Sequence, residues 1–138
     1  MPKKLTNSRK LTLAEKRDLD IEIGFMEGII RREPDYLEAL QVLGDDYTRR
    51  GRFEDGLRMD EQIAKLRPDD SLAYYNLACS YCLNNRVESA IASLERALSL
   101  GYRDFAWLSE DPDLAKVRRH PAYRKIRAKL RTLQIHAE

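Results

Sequence analysis

Cysteine is scarce in this chain, with two in 138 residues, and the pair lies three positions apart (Cys79 and Cys82). That spacing and number exclude the disulfide framework that staples small secreted domains. Histidine is equally rare: His120 and His136 are the only two. A structural zinc site needs about four ligands, so Cys79 and Cys82 would have to recruit both histidines to complete one. The six glycines do not form a phosphate-cradling loop. No run of apolar residues approaches the length of a membrane span. The basic start, Met1-Pro2-Lys3-Lys4-Leu5-Thr6-Asn7-Ser8-Arg9-Lys10, is not followed by the apolar block of a secretory signal. The expected setting is therefore reducing and cytoplasmic, with no cofactor and no metal.

Charge, by contrast, is plentiful and uneven. Charged residues make up 35% of the chain and the formal net charge is only +2. From Glu33 to Glu61 nine acidic residues face four arginines, whereas Lys116 to Arg131 holds eight basic residues and no acidic one. Such polarity fits either a solvated surface or an anion-binding face. It also allows self-association of an acidic middle with a basic end. The chain is long enough for one domain with a real core and too short for two.

Hydrophobic residues, 43% of the total, recur with helical spacing, which argues against disorder. Residues 1–11 are polar and basic and are expected to be a flexible N-terminus. Thr12 with Glu15 forms a capping box, so a helix should begin at Leu13 and carry Leu19, Ile23, Met26 and Ile30 on one face, with Phe25 and Ile29 widening it. Gly24 and Gly28, one turn apart, suit a close-packed neighbour. Pro34 should stop this helix. Asp35 with Glu38 is the next start signal, giving a helix to Arg50 closed by Gly51, then a partner from Phe53 to about Leu66. Asp70 should cap Ser71 to Leu83; Asn84-Asn85 turn the chain; Val87 to Leu100 follow, closed by Gly101. Short links make neighbours antiparallel.

Two of these stretches, Leu37 to Asp70 and Ser71 to Asp104, overlay at a constant offset of 34 residues. Leu43 meets Leu77, Gly44 meets Ala78, Tyr47 meets Tyr81, Leu57 meets Ile91 and Leu66 meets Leu100. A fixed period in this range marks a solenoid, in which each unit buries its apolar face only against its neighbours. After Asp104 the period breaks. Phe105 to Leu108 opens a helix that Pro112 interrupts, Asp111-Pro112 starts a short one with Leu114 and Val117, and His120-Pro121 starts the last. Tyr123, Ile126, Leu130 and Leu133 share a face of that last helix.

The order Leu-Gly/Ala-x-x-Tyr followed by a small residue and spaced apolar positions resembles the tetratricopeptide repeat family. Gly44, Gly56, Ala78 and Ala90 fall where that family's paired helices approach most closely. The expected fold is thus all-α, a right-handed superhelix of antiparallel pairs with about seven helices. Residues 12–138 would form one domain: 12–35 a partial, capping repeat, 37–70 and 71–104 full repeats, and 105–138 a C-terminal cap. Leu40, Asp60 and Tyr102 depart from the family pattern, which usually has an aromatic, an aromatic and a proline there. The Asp111-Pro112-Asp113-Leu114 and His120-Pro121-Ala122-Tyr123 segments are similar to ones that often close bacterial members.

The resemblance implies a concave groove that holds a peptide or helix of a partner protein, without catalysis. Its lining would be Glu38, Gln41, Asp45, Thr48 and Arg49 from the first repeat and Leu72, Tyr75, Cys79, Cys82 and Leu83 from the second. The second set is apolar, so it is either an exposed contact patch or core covered by the chain's own ends. The lysines with which some heat-shock co-chaperones of this family grip a terminal carboxylate are missing at Gln41, Asp45, Tyr75 and Cys79. The rival site is the basic last helix, where Arg124, Arg127 and Arg131 align and could meet an anion or nucleic acid. No aromatic there is placed for base stacking, and a solvated cap is the plainer reading. No nucleophile with a base beside it appears in the sequence.

Overall fold

Helix boundaries in this chain follow local chemistry almost everywhere. The computed structural model describes residues 10–137, with side chains to Gln134; the expected flexible N-terminus lies outside these residues save for Lys10 and Leu11. Eight α-helices and two 3-10 turns are present among the described residues, rather than about seven helices, the difference arising in the broken tail. Helix α1 (Leu13–Arg32) begins with the Thr12–Glu15 capping box, in which each side chain accepts from the other's backbone N–H at 3.1 and 2.9 Å. It ends before Pro34 as the ring demands. Helix α2 (Leu37–Arg50) starts differently from expectation. Tyr36 is its N-cap and offers no side-chain bond, while Asp35 instead accepts from Gln62 Nε2 at 2.7 Å. Gly51, at φ +87°, supplies the left-handed residue that closes α2.

Contacts divide the chain into two compact units, one ending at Pro68 and the other starting at Asp69. In the first, α1 packs on α2, and α2 pairs with α3 (Phe53–Leu66). Ile23, Leu43 and Tyr47 form its small central cluster, with Met26, Ile30 and Met59 packed around them. The α2–α3 pair closes tightly at two glycines. A β-carbon on Gly44 would stand 3.4 Å from Met59 Cβ, and one on Gly56 only 2.9 Å from Thr48 Oγ1 and 3.4 Å from the Gly44 carbonyl. Gly24 and Gly28 of α1 behave otherwise: a β-carbon would meet nothing within 4 Å at Gly24 and only an Arg31 nitrogen, at 3.7 Å, at Gly28. No close-packed neighbour meets them among the described residues.

In the second unit α4 (Ser71–Leu83) pairs with α5 (Val87–Ser99). Asp70 caps α4 by accepting from the Leu72 and Ala73 amides at 2.9 and 3.4 Å. Helix α6 (Phe105–Glu110) then leads through a 3-10 turn (Pro112–Leu114), α7 (Ala115–Arg118) and a second 3-10 turn (Pro121–Tyr123) into α8 (Arg124–Ala137). Asp111 and His120 start the two turns by the same device, a side chain accepting an amide two residues on, with proline next in line. The unit has one continuous core, in which Leu94, Ala97 and Leu98 of α5 meet Leu108, Leu114, Val117, Tyr123 and Ile126 of the tail. Each leucine, isoleucine or valine among them contributes on the order of 1.5–3 kcal/mol by leaving water. Among the described residues no helix is long and apolar enough to cross a membrane.

Crowding at Gly56 makes Gly56→Ala costly, since Thr48 is buried and its hydroxyl already donates to the Gly44 carbonyl at 3.0 Å. Overpacking of this kind lowers stability by about 1–3 kcal/mol. Gly24→Ala, in open space within a helix, should instead add roughly 0.5–1 kcal/mol. Urea midpoints of the two variants moving in the same direction would contradict this reading of the packing.

Candidate functional site

The residues expected to line a groove fall into two groups with opposite fates. On α4, Leu72, Tyr75, Cys79 and Cys82 are all core residues of the second unit, and Leu83 is half-buried. Tyr75 is the largest side chain in the molecule that is essentially sealed, at 1% exposure. The open alternative is thereby corrected: this patch is not surface, because the chain's own tail lies on it. The 3-10 turn at Pro112 packs directly against α4. Tyr75 donates its hydroxyl to Asp111 Oδ2 at 2.6 Å, and the Cys79 thiol donates to the same oxygen at 3.7 Å. The other carboxylate oxygen of Asp111 accepts from the Asp113 amide at 2.9 Å. Tyr102 stacks on the Tyr75 ring with centroids 4.2 Å apart and planes inclined by 10°.

Burial pushes the Tyr75 phenol well above its ordinary range, and the neighbouring Cys79 and Asp111 push the same way, so it stays a neutral donor. Burial raises the Cys82 thiol as well. These are the properties of structural thiols, not of a redox pair. Cys79, Asp111 and Asp113 bring one potential ligand atom each within 4.8 Å of one another. The Asp111 oxygens there receive the phenol, the thiol and a backbone amide, and a thiol that donates a proton is not a thiolate ligand. That chemistry is the fastening of a helix start.

Neither Tyr102 nor Asp111 figures among the residues that the sequence pattern proposes. A signal for both existed: α4 contains no charged residue at all between Asp70 and Arg86. A helix without a polar face has no side to give to water, so something must cover it.

On α2 of the first unit the picture reverses. Glu38, Gln41, Asp45 and Arg49 are all exposed and recur at three- and four-residue steps, which sets them along one side of the helix. Thr48 is buried beneath, its hydroxyl committed to the Gly44 carbonyl. Behind α2 a cleft of about 460 Å³ is lined by Asp20, Ile23, Gly24, Glu27, Arg50 and Arg52. Its charges satisfy each other: Arg50 pairs with Asp20 at 2.9 Å, and Glu27 accepts from the Tyr47 hydroxyl with Arg52 at 3.9 Å. Arg52 also lies over the Tyr47 ring, 4.5 Å from its centre. Burial and the carboxylate of Glu27 raise the Tyr47 phenol to about 12.

A carboxyl pair stands close by. Asp46, 5% exposed, is pushed up to about 7, first by burial and then by its hydrogen bond and like charge with Glu22; Arg49 opposes the shift.

The basic helix α8 leaves Arg124, Arg127 and Arg131 exposed. Much of the surrounding positive charge is nonetheless used inside the unit. Lys129 donates to Ser99 Oγ at 2.7 Å, Lys116 to Asn85 Oδ1, and Arg118 to the Leu108 carbonyl at 3.0 Å. Arg127 reaches the Arg118 carbonyl at 3.3 Å and covers the Tyr123 ring. These residues fasten the tail to the repeat, while Tyr123 and Ile126 anchor it from within.

A tetratricopeptide repeat model matches residues 61–92, the end of α3, all of α4 and the first part of α5. Over 92 residues, 64% of this chain, it is 36% identical to a chloroplastic protein of Arabidopsis thaliana and spans 26% of that protein. Over 90 residues, also 64% of the chain, it is 31% identical to the peroxisomal targeting signal receptor of Komagataella phaffii, spanning 16% of it. The corresponding receptor of Candida albicans is 33% identical over 76 residues, 55% of this chain and 13% of the receptor. The chain thus spans about a quarter or less of the length of these relatives.

Tyr75→Phe removes a buried donor without removing volume, leaving the Asp111 carboxylate short of a partner. It should cost about 1–3 kcal/mol, read as a lower urea midpoint with an unchanged slope. The Asp46 carboxyl gives a pH signature. Its native pKa lies near 7 against an ordinary value of 3.8, so the folded state holds the extra proton between those values. Stability from this group is therefore full at acid pH and lost as pH rises toward about 7. Asp46→Asn should flatten the loss of stability between pH 5 and 8 relative to the parent; parallel pH curves for the two proteins would refute the assignment.

Proposed function

Because the chain belongs to the tetratricopeptide repeat family, we propose that it is a non-catalytic protein-binding module whose contact surface is the exposed polar side of α2. The observation that carries this reading is the contrast between two helices in corresponding repeat positions. On α4 the side expected to meet a ligand is covered by the chain's own Pro112 turn, whereas on α2 Gln41, Asp45 and Arg49 remain at the surface. A peptide segment of a partner protein would be held by hydrogen bonds to Gln41 and by charge contacts with Asp45 and Arg49. Half-buried Leu83 would take part at most at the margin. The name of the Komagataella and Candida relatives, receptors for a targeting signal, supports recognition of a peptide.

Such a surface is polar, so it selects by charge pattern more than by apolar burial. Peptides selected from a random display library against the full chain provide the test. Their affinity for Arg49→Glu and for Gln41→Ala should fall at least about tenfold, which is about 1.4 kcal/mol. Equal binding by both variants, or failure to select any peptide, would remove α2 as the contact surface.

A further inference from the structure

Helix α1 carries a second apolar stripe that the described residues of its own unit do not cover. Leu19 and Ile23 are buried, and Met26 and Ile30 pack with the α2 cluster on that same side. At roughly 100° per residue Ile21 and Phe25 point away from that side, so Phe25 does not widen the buried stripe as expected, and half-buried Ile29 lies between the two sides. Ile21 is 66% and Phe25 61% exposed. Among the described residues the strongly exposed large hydrophobics are Leu13, Ile21, Phe25 and Tyr36, all on α1 or just beyond it. One exposed hydrophobic is ordinary, but several in register on one helix make an interaction face. Gly24 and Gly28 border the stripe, and the space over Gly24 is empty to 4 Å.

The charges on this stripe say what covers it. Asp18 stands seven residues before Phe25 and Arg32 seven after, and two turns in either direction return to the same side of the helix. Both are exposed. When α1 meets its own reverse about a twofold axis through Phe25, Asp18 of each chain faces Arg32 of the other, Ile21 faces Ile29, and the two Phe25 rings meet on the axis. A parallel arrangement would set Asp18 against Asp18 and Arg32 against Arg32. A pattern that is complementary to its own reverse is what an isologous contact requires.

We propose that the exposed face of α1 is the contact surface of a homodimer, formed by antiparallel α1–α1 packing with Phe25 at its centre and two reciprocal Asp18–Arg32 pairs. Gly24, with open space over it, lets the two helices approach closely. One helix about 30 Å long provides less than the roughly 800 Å² per partner of a durable interface, so the dimer is a reversible one. This surface is separate from the polar side of α2 and stands or falls independently of it.

Sedimentation of the full chain from roughly 5 to 500 µM tests the proposal, with monomer giving way to dimer across that range. Phe25→Ser and Arg32→Asp should each weaken association at least about tenfold, and the double exchange Asp18→Arg with Arg32→Asp should return it to within about threefold of the parent. All three changes are at exposed positions, and matching circular dichroism and urea midpoints verify that the fold is kept. A parent chain that stays monomeric throughout would overturn the proposal and leave the face to a helix of another protein. Association that ignores Phe25→Ser, or that the double exchange does not restore, would overturn it equally.

Discussion

The second unit depends on one buried hydrogen bond, from the Tyr75 hydroxyl to Asp111. Burying a carboxylate is expensive unless donors surround it, and here a phenol, a thiol and a backbone amide do so. Because the same carboxylate starts the Pro112 turn, its satisfaction and the docking of the tail are a single event. Tyr102 then completes the arrangement by stacking on Tyr75. A repeat buries its apolar faces only against neighbours, and here the tail supplies that neighbour to α4 and α5.

Among the described residues the first unit has no comparable closure over α1. Its second face keeps Ile21 and Phe25 in water, with Gly24 bare beside them. The two units thus answer the same constraint differently, one by covering an apolar helix from within the chain and one by keeping an apolar face exposed. The polar side of α2, lacking apolar residues to hide, is under no such pressure. On a polar surface of this kind charge pattern and hydrogen bonds discriminate among partners more than they add affinity.

Much of the architecture was legible because its determinants are local. The Thr12–Glu15 box, Asp70, Gly51 and the Asp111-Pro112 and His120-Pro121 starts all act within one turn of backbone, and each lies where the pattern puts it. The exception at Asp35 is instructive: its carboxylate had a competing partner in Gln62, 27 positions away, and no local rule sees that far. Gly24 and Gly28 show the reverse error, since small residues signal room for a neighbour but not its presence. The apolar side of α4 was legible as apolar and ambiguous as surface. The absence of any charge along that helix was the clue to its burial.

By itself, then, the sequence determined the helices, their pairing and the period that relates them, because spacing, caps and small residues act through near neighbours in the chain. Only the tertiary structure decided which apolar side is core and which is surface. Tyr75 and Phe25 are both aromatic residues on helical stripes; the uncharged helix around Tyr75 signals burial but does not name what covers it. What separates them is distant: Asp111 and Tyr102 return to cover the first, and among the described residues of its unit none returns to cover the second. Exposure depends on which distant residue comes back to a side chain, and that is a property of the folded chain as a whole.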